Sequence, residues 1–127
     1  MTEKKELIIS LGSNYDQEAC MLRAKTEIRN AFGPDTMFSE EVWTSPIGIE
    51  SDLFLNCLVF IRTSLKLEQL GRSLKQIESL CGNNKRARAD NIVKMDIDIL
   101  KYDGMRLHEK DWTREYVKNL MKACPFK

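Results

Sequence analysis

Two aspartates separated by one residue are the sharpest chemical signal in this sequence. Asp96 and Asp98 lie in the alternating segment MDIDILK, residues 95–101. In a β-strand, residues two apart point to the same face, so the two carboxylates are expected side by side, with the apolar residues facing a core. Adjacent carboxylates repel each other unless cations pair with them. The spacing therefore predicts either a site for a hard divalent ion such as Mg²⁺, or a solvated sheet edge with a nearby Lys or Arg.

An amide interrupts the most apolar segment of the chain. Asn56 lies within LFLNCLVFIR, residues 53–62. A buried amide is costly unless its donors and acceptors are paired, so Asn56 is expected either to bind the edge of a heterocycle or to hold a neighbouring loop. Phe54 shares its face by the period of two and would suit a flat ring, although packing in the core is the more common use of a phenylalanine.

A basic cluster lies in the polar segment 83–94. Lys85, Arg86 and Arg88 could clamp phosphate groups, or they could remain solvated. The segment has no apolar period, so we predict a mobile loop. An RNA-binding sheet would need exposed aromatics in a Lys/Arg-Gly-aromatic context, which this sequence lacks, so nucleic acid is not an expected partner.

Alternating periods of two and 3.6 residues predict the elements that position these side chains. Strands are expected near residues 6–11, 37–44, 53–62 and 95–101. Amphipathic helices are expected over 21–31 and 67–81, and a weakly helical tail over 111–122. The order β-α-β-β-α-β predicts one α+β domain, residues 1–127, with a ferredoxin-like sandwich and a short C-terminal helix. One face of its sheet would be left for a ligand or for the tail.

Composition excludes several classes of protein. The net charge of +1 offers no field that would draw the chain to nucleic acid or to a membrane surface. No apolar run is long enough to span a bilayer, and the N-terminus does not resemble a signal peptide, so a cytoplasmic protein is expected. A monomer is expected as well. The four cysteines form no C-x-x-C pair and only one histidine is present, which argues against zinc and for reduced thiols.

Five short motifs, in order, resemble those of the 6-hydroxymethyl-7,8-dihydropterin pyrophosphokinase family. They are LGSN at 11–14, TSPIG at 44–48, FLN at 54–56, the helix end IE followed by Gly82, and DIDIL at 96–100. The match runs from about residue 7 to residue 117. Each motif is weak by itself, but five in the same order make the resemblance specific.

The resemblance implies an enzyme that transfers pyrophosphate from ATP to the hydroxymethyl group of the pterin, in folate biosynthesis, with two Mg²⁺ ions. It implies that Asp96 and Asp98 hold both ions, and that Lys85, Arg86 and Arg88 act on the phosphates. The residues implied on the pterin side are Thr44, Ile47, Phe54, Asn56 and Tyr116. Those implied on the nucleotide side are Glu78, Ile99, His108 and Arg114.

Several family positions carry different residues here. Asn83 and Val93 replace arginines, Asp90 replaces a tryptophan, and Lys75 replaces a glutamine one helical turn before Glu78. Because phosphoryl-type transfer depends on positioning and charge neutralisation, such replacements bear directly on rate. Two functions therefore follow: a diphosphokinase with a rebuilt basic loop, or a module that binds a pterin-type heterocycle with little catalysis.

Overall fold

A computed structural model of the chain describes residues 3–126, which form one antiparallel sheet with helices on one face and the C-terminal segment on the other. The strands are β1 Lys5–Ser13, β2 Met37–Phe38, β3 Val42–Thr44, β4 Phe54–Thr63, β5 Asp96–Tyr102 and β6 Met105–Arg106. The helices are α1 Gln17–Phe32, α2 Leu67–Leu80, α3 Lys85–Ala89 and α4 Glu115–Leu120, with 3₁₀ turns at Glu109–Thr113 and Met121–Ala123.

The strand order confirms the predicted ferredoxin-like α+β fold. Neighbours run β2-β4-β1-β5-β6, with β3 also paired to β4, and every pairing is antiparallel. The two central strands, β1 and β4, are joined in register over nine residue pairs. Because β1 and β5 are also neighbours, three strands from distant parts of the sequence lie side by side where the site is built.

Two clusters of apolar side chains hold the layers together. The larger cluster packs alternate residues of the central strands, such as Leu7 and Leu11 of β1, against α1 and α2. The smaller cluster packs Ile8 and Leu58 of the central strands against the C-terminal segment through Val117. The tail, one of the two occupants expected for the second sheet face, therefore covers part of it, and the remainder of that face stays open.

The alternation of the strands decides which side chains reach each face. Ile9 of β1 is fully buried against the helices, in the same cluster as the residues two positions before and after it. Met95 and Ile97 beside the aspartates are buried in that cluster as well, and Ile99 packs against it, as the period of two predicted. The intervening aspartates therefore lie on the opposite face of β5 from the larger apolar cluster.

The remaining expectations from composition concern thiols and membranes. Three cysteines, Cys20, Cys57 and Cys81, are buried free thiols, which agrees with the expectation that some thiols pack in the core. No helix in the described part of the chain is long and apolar enough to cross a membrane.

The single strand predicted over residues 37–44 is wrong in one respect, because it is broken into β2 and β3. The Ser39 hydroxyl accepts a hydrogen bond from the backbone N–H of Leu58 at 2.9 Å, while the Ser39 N–H donates to the carbonyl of Leu58 at 2.9 Å. A serine side chain that takes a place in the ladder competes with backbone pairing. The register with β4 shifts by one residue between Phe38 and Val42, as in a β-bulge.

The polar segment 83–94 is not the unstructured loop that its composition predicts. It contains the short helix α3, whose first turn is capped by the Asn84 side chain, which accepts from the Ala87 N–H at 2.8 Å. The segment lacks an apolar period because its order comes from caps and hydrogen bonds to other elements. The predicted tail helix is also shorter, since α4 begins only at Glu115, after a 3₁₀ turn.

Candidate active site

Paired residues of three neighbouring strands form the open part of the second sheet face. Asn56 of β4 pairs with Gly12 of β1, and Gly12 pairs on its other side with Asp96 of β5. Two residues along β1, Ser10 pairs with Asp98. Because paired residues of antiparallel strands point to the same face, an amide, a glycine and two carboxylates form a continuous floor.

A cavity of about 990 Å³ lies over this floor, between the sheet, the loop after β3 and the C-terminal segment. Both predicted metal ligands, Asp96 and Asp98, line it. The tertiary structure therefore gathers residues from four separate motifs around one space. All five residues predicted on the pterin side also line it: Thr44, Ile47, Phe54, Asn56 and Tyr116.

The nitrogen of the Asn56 side-chain amide is hydrogen-bonded within the protein, whereas its oxygen lies over the floor. Its Nδ2 donates to the Thr44 hydroxyl at 2.8 Å and to the carbonyls of Val42 and Phe54 at 3.3 Å each. Its Oδ1 lies close to Gly12, where a Cβ atom would stand 3.4 Å from that oxygen. Asn56 thus holds β3, and it also keeps an acceptor over the small residue of the floor, so both predicted uses of the amide are compatible.

The two carboxylates lie in an environment that only partly compensates their charge. Arg88 Nη2 lies 3.6 Å from Asp96 Oδ1, and His108 Nε2 lies 4.0 Å from Asp98 Oδ1. Burial, together with the neighbouring Asp96 carboxylate, raises the pKa of Asp98 to about 7. Arg88 is the nearby cation that a solvated sheet edge would have, but its distance from Asp96 is long and Asp98 has only His108 beside it, so the arrangement is compatible with both predicted uses of the two carboxylates.

A second, smaller cavity of about 330 Å³ lies on the other side of the same aspartates, at the open edge of β5. Asp96 and Asp98 line both cavities and therefore form the wall that the two spaces share. Glu78, Ile99 and His108, which the resemblance implies on the nucleotide side, line the smaller cavity, and so do Lys75 and Arg88.

Glu78 closes the open edge of β5. Its Oε2 accepts a hydrogen bond from the backbone N–H of Ile97 at 2.7 Å. Burial raises the pKa of Glu78, and the Asp96 carboxylate adds to this rise, while the bond from Ile97 opposes it. The edge N–H would otherwise have no partner in the sheet, so Glu78 positions the strand that carries both aspartates.

Three of the residues predicted on the phosphate and nucleotide side are not part of the lining of the smaller cavity. Arg114 lines the larger cavity, where its Nε donates to Asp111 at 3.1 Å, instead of the smaller cavity with Glu78. Lys85 and Arg86 belong to α3 but line neither cavity of the site. Of the basic cluster, only Arg88 reaches the aspartates.

Sequence reasoning missed the residue that fastens the basic segment. Asn14 Nδ2 donates to the carbonyl of Asn91 at 2.8 Å, and Asn14 Oδ1 accepts from the N–H of Val93 at 2.7 Å. The Asn14 N–H also donates to the carbonyl of Val93 at 2.9 Å. Its place in a turn motif was the available signal, but the partner lies 77 to 79 residues away. Ser10 and Gly12 were missed as floor residues because their partners in β4 and β5 are also distant in the sequence.

The residues present fit a hard divalent cation, provided that the ligand supplies some of the oxygens. Within residues 3–126, no group of three or more His, Cys, Asp or Glu side chains gathers as a metal site. Mg²⁺ is commonly bound by one or two carboxylates together with phosphate oxygens and water. Asp96 and Asp98 meet that requirement because both line the two cavities and neither is fully neutralised by a protein cation.

Comparison with known proteins identifies one family. No curated protein matches the chain with significance. The family model described as 7,8-dihydro-6-hydroxymethylpterin-pyrophosphokinase (HPPK) matches residues 8–124, which includes every residue of the two cavities discussed above. The chain therefore belongs to the 7,8-dihydro-6-hydroxymethylpterin-pyrophosphokinase family.

Proposed function

We propose that this protein transfers pyrophosphate from ATP to 6-hydroxymethyl-7,8-dihydropterin. The observation that carries the proposal is the shared wall: Asp96 and Asp98 line both a cavity suited to a flat heterocycle and a cavity with cationic side chains. A reaction between two bound substrates needs such a boundary, because it brings the reacting groups together and fixes their orientation.

On the pterin side, the proposal assigns the ring to the space between Phe54 and Tyr116. Both aromatic residues line the larger cavity, and Tyr116 also packs against the apolar cluster under the tail. Asn56 Oδ1 would accept from an N–H at the edge of the ring, and backbone groups at Thr44 and Ile47 would complete the edge. A ring held in this way would point its hydroxymethyl group along the floor towards the aspartates.

On the phosphate side, the proposal assigns the polyphosphate of ATP to the smaller cavity. The hydroxymethyl oxygen attacks the β-phosphorus, a new O–P bond forms, the bond from that phosphorus to the oxygen of AMP breaks, and the hydroxyl proton is released. Mg²⁺ ions held by Asp96 and Asp98 would neutralise the charge on the phosphate oxygens. Glu78 maintains the strand that carries these carboxylates, and His108 lies at the same wall.

The direct test measures AMP release with ATP, Mg²⁺ and the pterin. We expect release by the parent protein and its loss by at least about 10²-fold in Asp96→Asn and Asp98→Asn, the magnitude that removal of one transition-state stabilising group commonly produces. Asp35→Asn is the matched control, since Asp35 is an exposed carboxylate of the α1–β2 turn outside both cavities. If Asp35→Asn also lost activity, the loss in the Asp96 and Asp98 variants could not be assigned to the site.

A second candidate function is supported by a specific observation on the basic segment. Lys85 and Arg86 line neither cavity, whereas the pterin side has all its predicted residues in one space. A protein of this kind would bind the pterin and turn over ATP poorly. Calorimetry with the pterin and a non-hydrolysable ATP analogue, each alone and then together, separates the two functions. Binding of the pterin without binding of the analogue and without AMP release would support the binding module. If neither ligand bound, both functions would be refuted.

A further inference from the structure

We infer that Lys75 and Arg88 are the phosphate-binding cations of the smaller cavity, in place of Lys85 and Arg86. The inference deepens the proposed function and rests on it for the identity of the ligand. It assigns a phosphate-binding role to a residue of α2, an element that the basic sequence cluster does not include.

The two side chains belong to the lining of one space. Lys75 comes from α2 and Arg88 from α3, and both line the smaller cavity with the two aspartates. Lys75 and Glu78 are three residues apart, which places them on neighbouring positions of one helix face. Because Glu78 is fixed on the N–H of Ile97, this face of α2 is directed at the edge of β5. Lys75 forms no ion pair with any described residue, so its ammonium group is available to a ligand.

Space for a ligand is left beside Lys75 by a glycine. Gly71 lies one helical turn earlier on α2 and lines the same cavity. A Cβ atom at Gly71 would meet nothing within 4 Å, so the surface next to Lys75 is open. The cavity is therefore accessible from the side of α2 as well as from the side of the aspartates.

Arg88 is held near the cavity by its own helix. The Asn84 cap fixes the first turn of α3, and the bonds of Asn14 fix the segment that follows it. The pair between Arg88 and Asp96 is long, at 3.6 Å, with side chains 45% and 41% exposed. Exposed pairs of this kind contribute little to stability, so the guanidinium can exchange Asp96 for a phosphate oxygen at small cost. The other two cations of this short helix do not line the cavity.

The charges of the cavity show why these two cations matter. Three carboxylates, Glu78, Asp96 and Asp98, line it together with one lysine, one arginine and one histidine. A polyphosphate brings several further negative charges, which the carboxylates repel. The lysine and the arginine are the fixed positive charges of the cavity that can offset this repulsion, since His108 is charged only when protonated.

Calorimetric titration of the full chain with two probes tests the inference. The probes are a non-hydrolysable ATP analogue and inorganic tripolyphosphate, both in the presence of Mg²⁺. We expect Lys75→Ala and Arg88→Ala each to weaken binding of both probes roughly tenfold, as expected for loss of one charge-assisted hydrogen bond. Lys75→Gln should weaken tripolyphosphate binding about as much, because it removes the charge but keeps a polar side chain. Unfolding curves of each variant verify that it is folded.

Arg72→Ala is the matched control, because Arg72 belongs to the same helix, carries the same charge and does not line the cavity. Its affinities should stay within about twofold of the parent, since an exposed charge outside the cavity acts only through screened interactions. If Lys75→Ala and Arg88→Ala bound both probes like this control, the inference would be wrong. Tripolyphosphate binding that depends on both cations, without binding of the nucleotide analogue, would uphold the inference and refute the proposed kinase function. Failure of the parent to bind either probe would overturn both.

Discussion

Replacement of Gly12 by alanine tests the floor of the larger cavity without disturbing the fold. Gly12 stands between Asn56 and Asp96 in the sheet and has an ordinary strand conformation. A Cβ atom there would lie 3.4 Å from Asn56 Oδ1 and 3.7 Å from Phe54 Cδ2, which are ordinary van der Waals distances. The protein can therefore accept the methyl group, while a ligand that must approach the same oxygen cannot.

From the structure we expect Gly12→Ala to leave protein stability unchanged or slightly higher and to weaken ligand binding. Glycine inside a strand is less favourable than alanine by about 0.5–1 kcal/mol, so Gly12→Ala should be as stable as the parent or slightly more stable. A ligand N–H must come within about 2.7–3.2 Å of its acceptor to bond. A methyl group in contact with Asn56 Oδ1 blocks that approach and leaves a ligand donor unpaired. The cost is about 2 kcal/mol, or roughly 30-fold in the dissociation constant of the pterin.

Calorimetry with the pterin alone, together with urea unfolding, provides both measurements. Gly71→Ala is the control, since Gly71 lies on α2 away from the larger cavity and a Cβ atom there meets nothing within 4 Å. It should raise stability by up to about 1 kcal/mol, as alanine does in a helix, and leave pterin affinity unchanged. Parent-like pterin affinity in Gly12→Ala, with the fold intact, would refute the assignment of the ring to this floor.

Three further predictions follow from the site and its supports. In metal-free buffer, Asp98→Asn should raise the free energy of unfolding at pH 8 by roughly 1–3 kcal/mol, allowing for partial exposure. Because the folded-state pKa of Asp98 is raised to about 7, the native state binds this proton more tightly than the unfolded chain, so parent stability falls as pH rises from about 4 through about 7. Thermal unfolding at pH 5 and pH 8 should show a smaller pH dependence in the variant. Asn14→Ala should cost about 2 kcal/mol in urea unfolding and speed amide exchange at Val93, and unchanged exchange would contradict the anchoring role. Tyr116→Phe should keep pterin affinity and Tyr116→Ala should lower it about tenfold by calorimetry, since stacking needs only the ring; equal loss in both would assign the role to the hydroxyl group instead.

Much of the fold was predictable because local periodicity reports burial. The strand over 95–101 and the helix over 67–81 have clear periods of two and 3.6 residues, and each appears within one residue of its predicted bounds. The break between β2 and β3 was not predictable, because it depends on Ser39 bonding to Leu58, a residue 19 positions away. The helix α3 has no apolar period at all, since a cap and distant hydrogen bonds hold it in place.

For the site, sequence alone determined which residue types were present and, through ordered motifs, the family to which they point. The sequence could place Asp96 beside Asp98 and Phe54 beside Asn56, because residues two apart in one strand share a face. Only the tertiary structure decided that Gly12 brings these two pairs into one floor, and that the aspartates form a wall between two cavities. It also decided that a lysine of α2 lines the smaller cavity while the lysine of the basic cluster lies outside it. Such choices depend on strand register and on helix packing across the sheet, which link residues far apart in the chain and leave no local pattern.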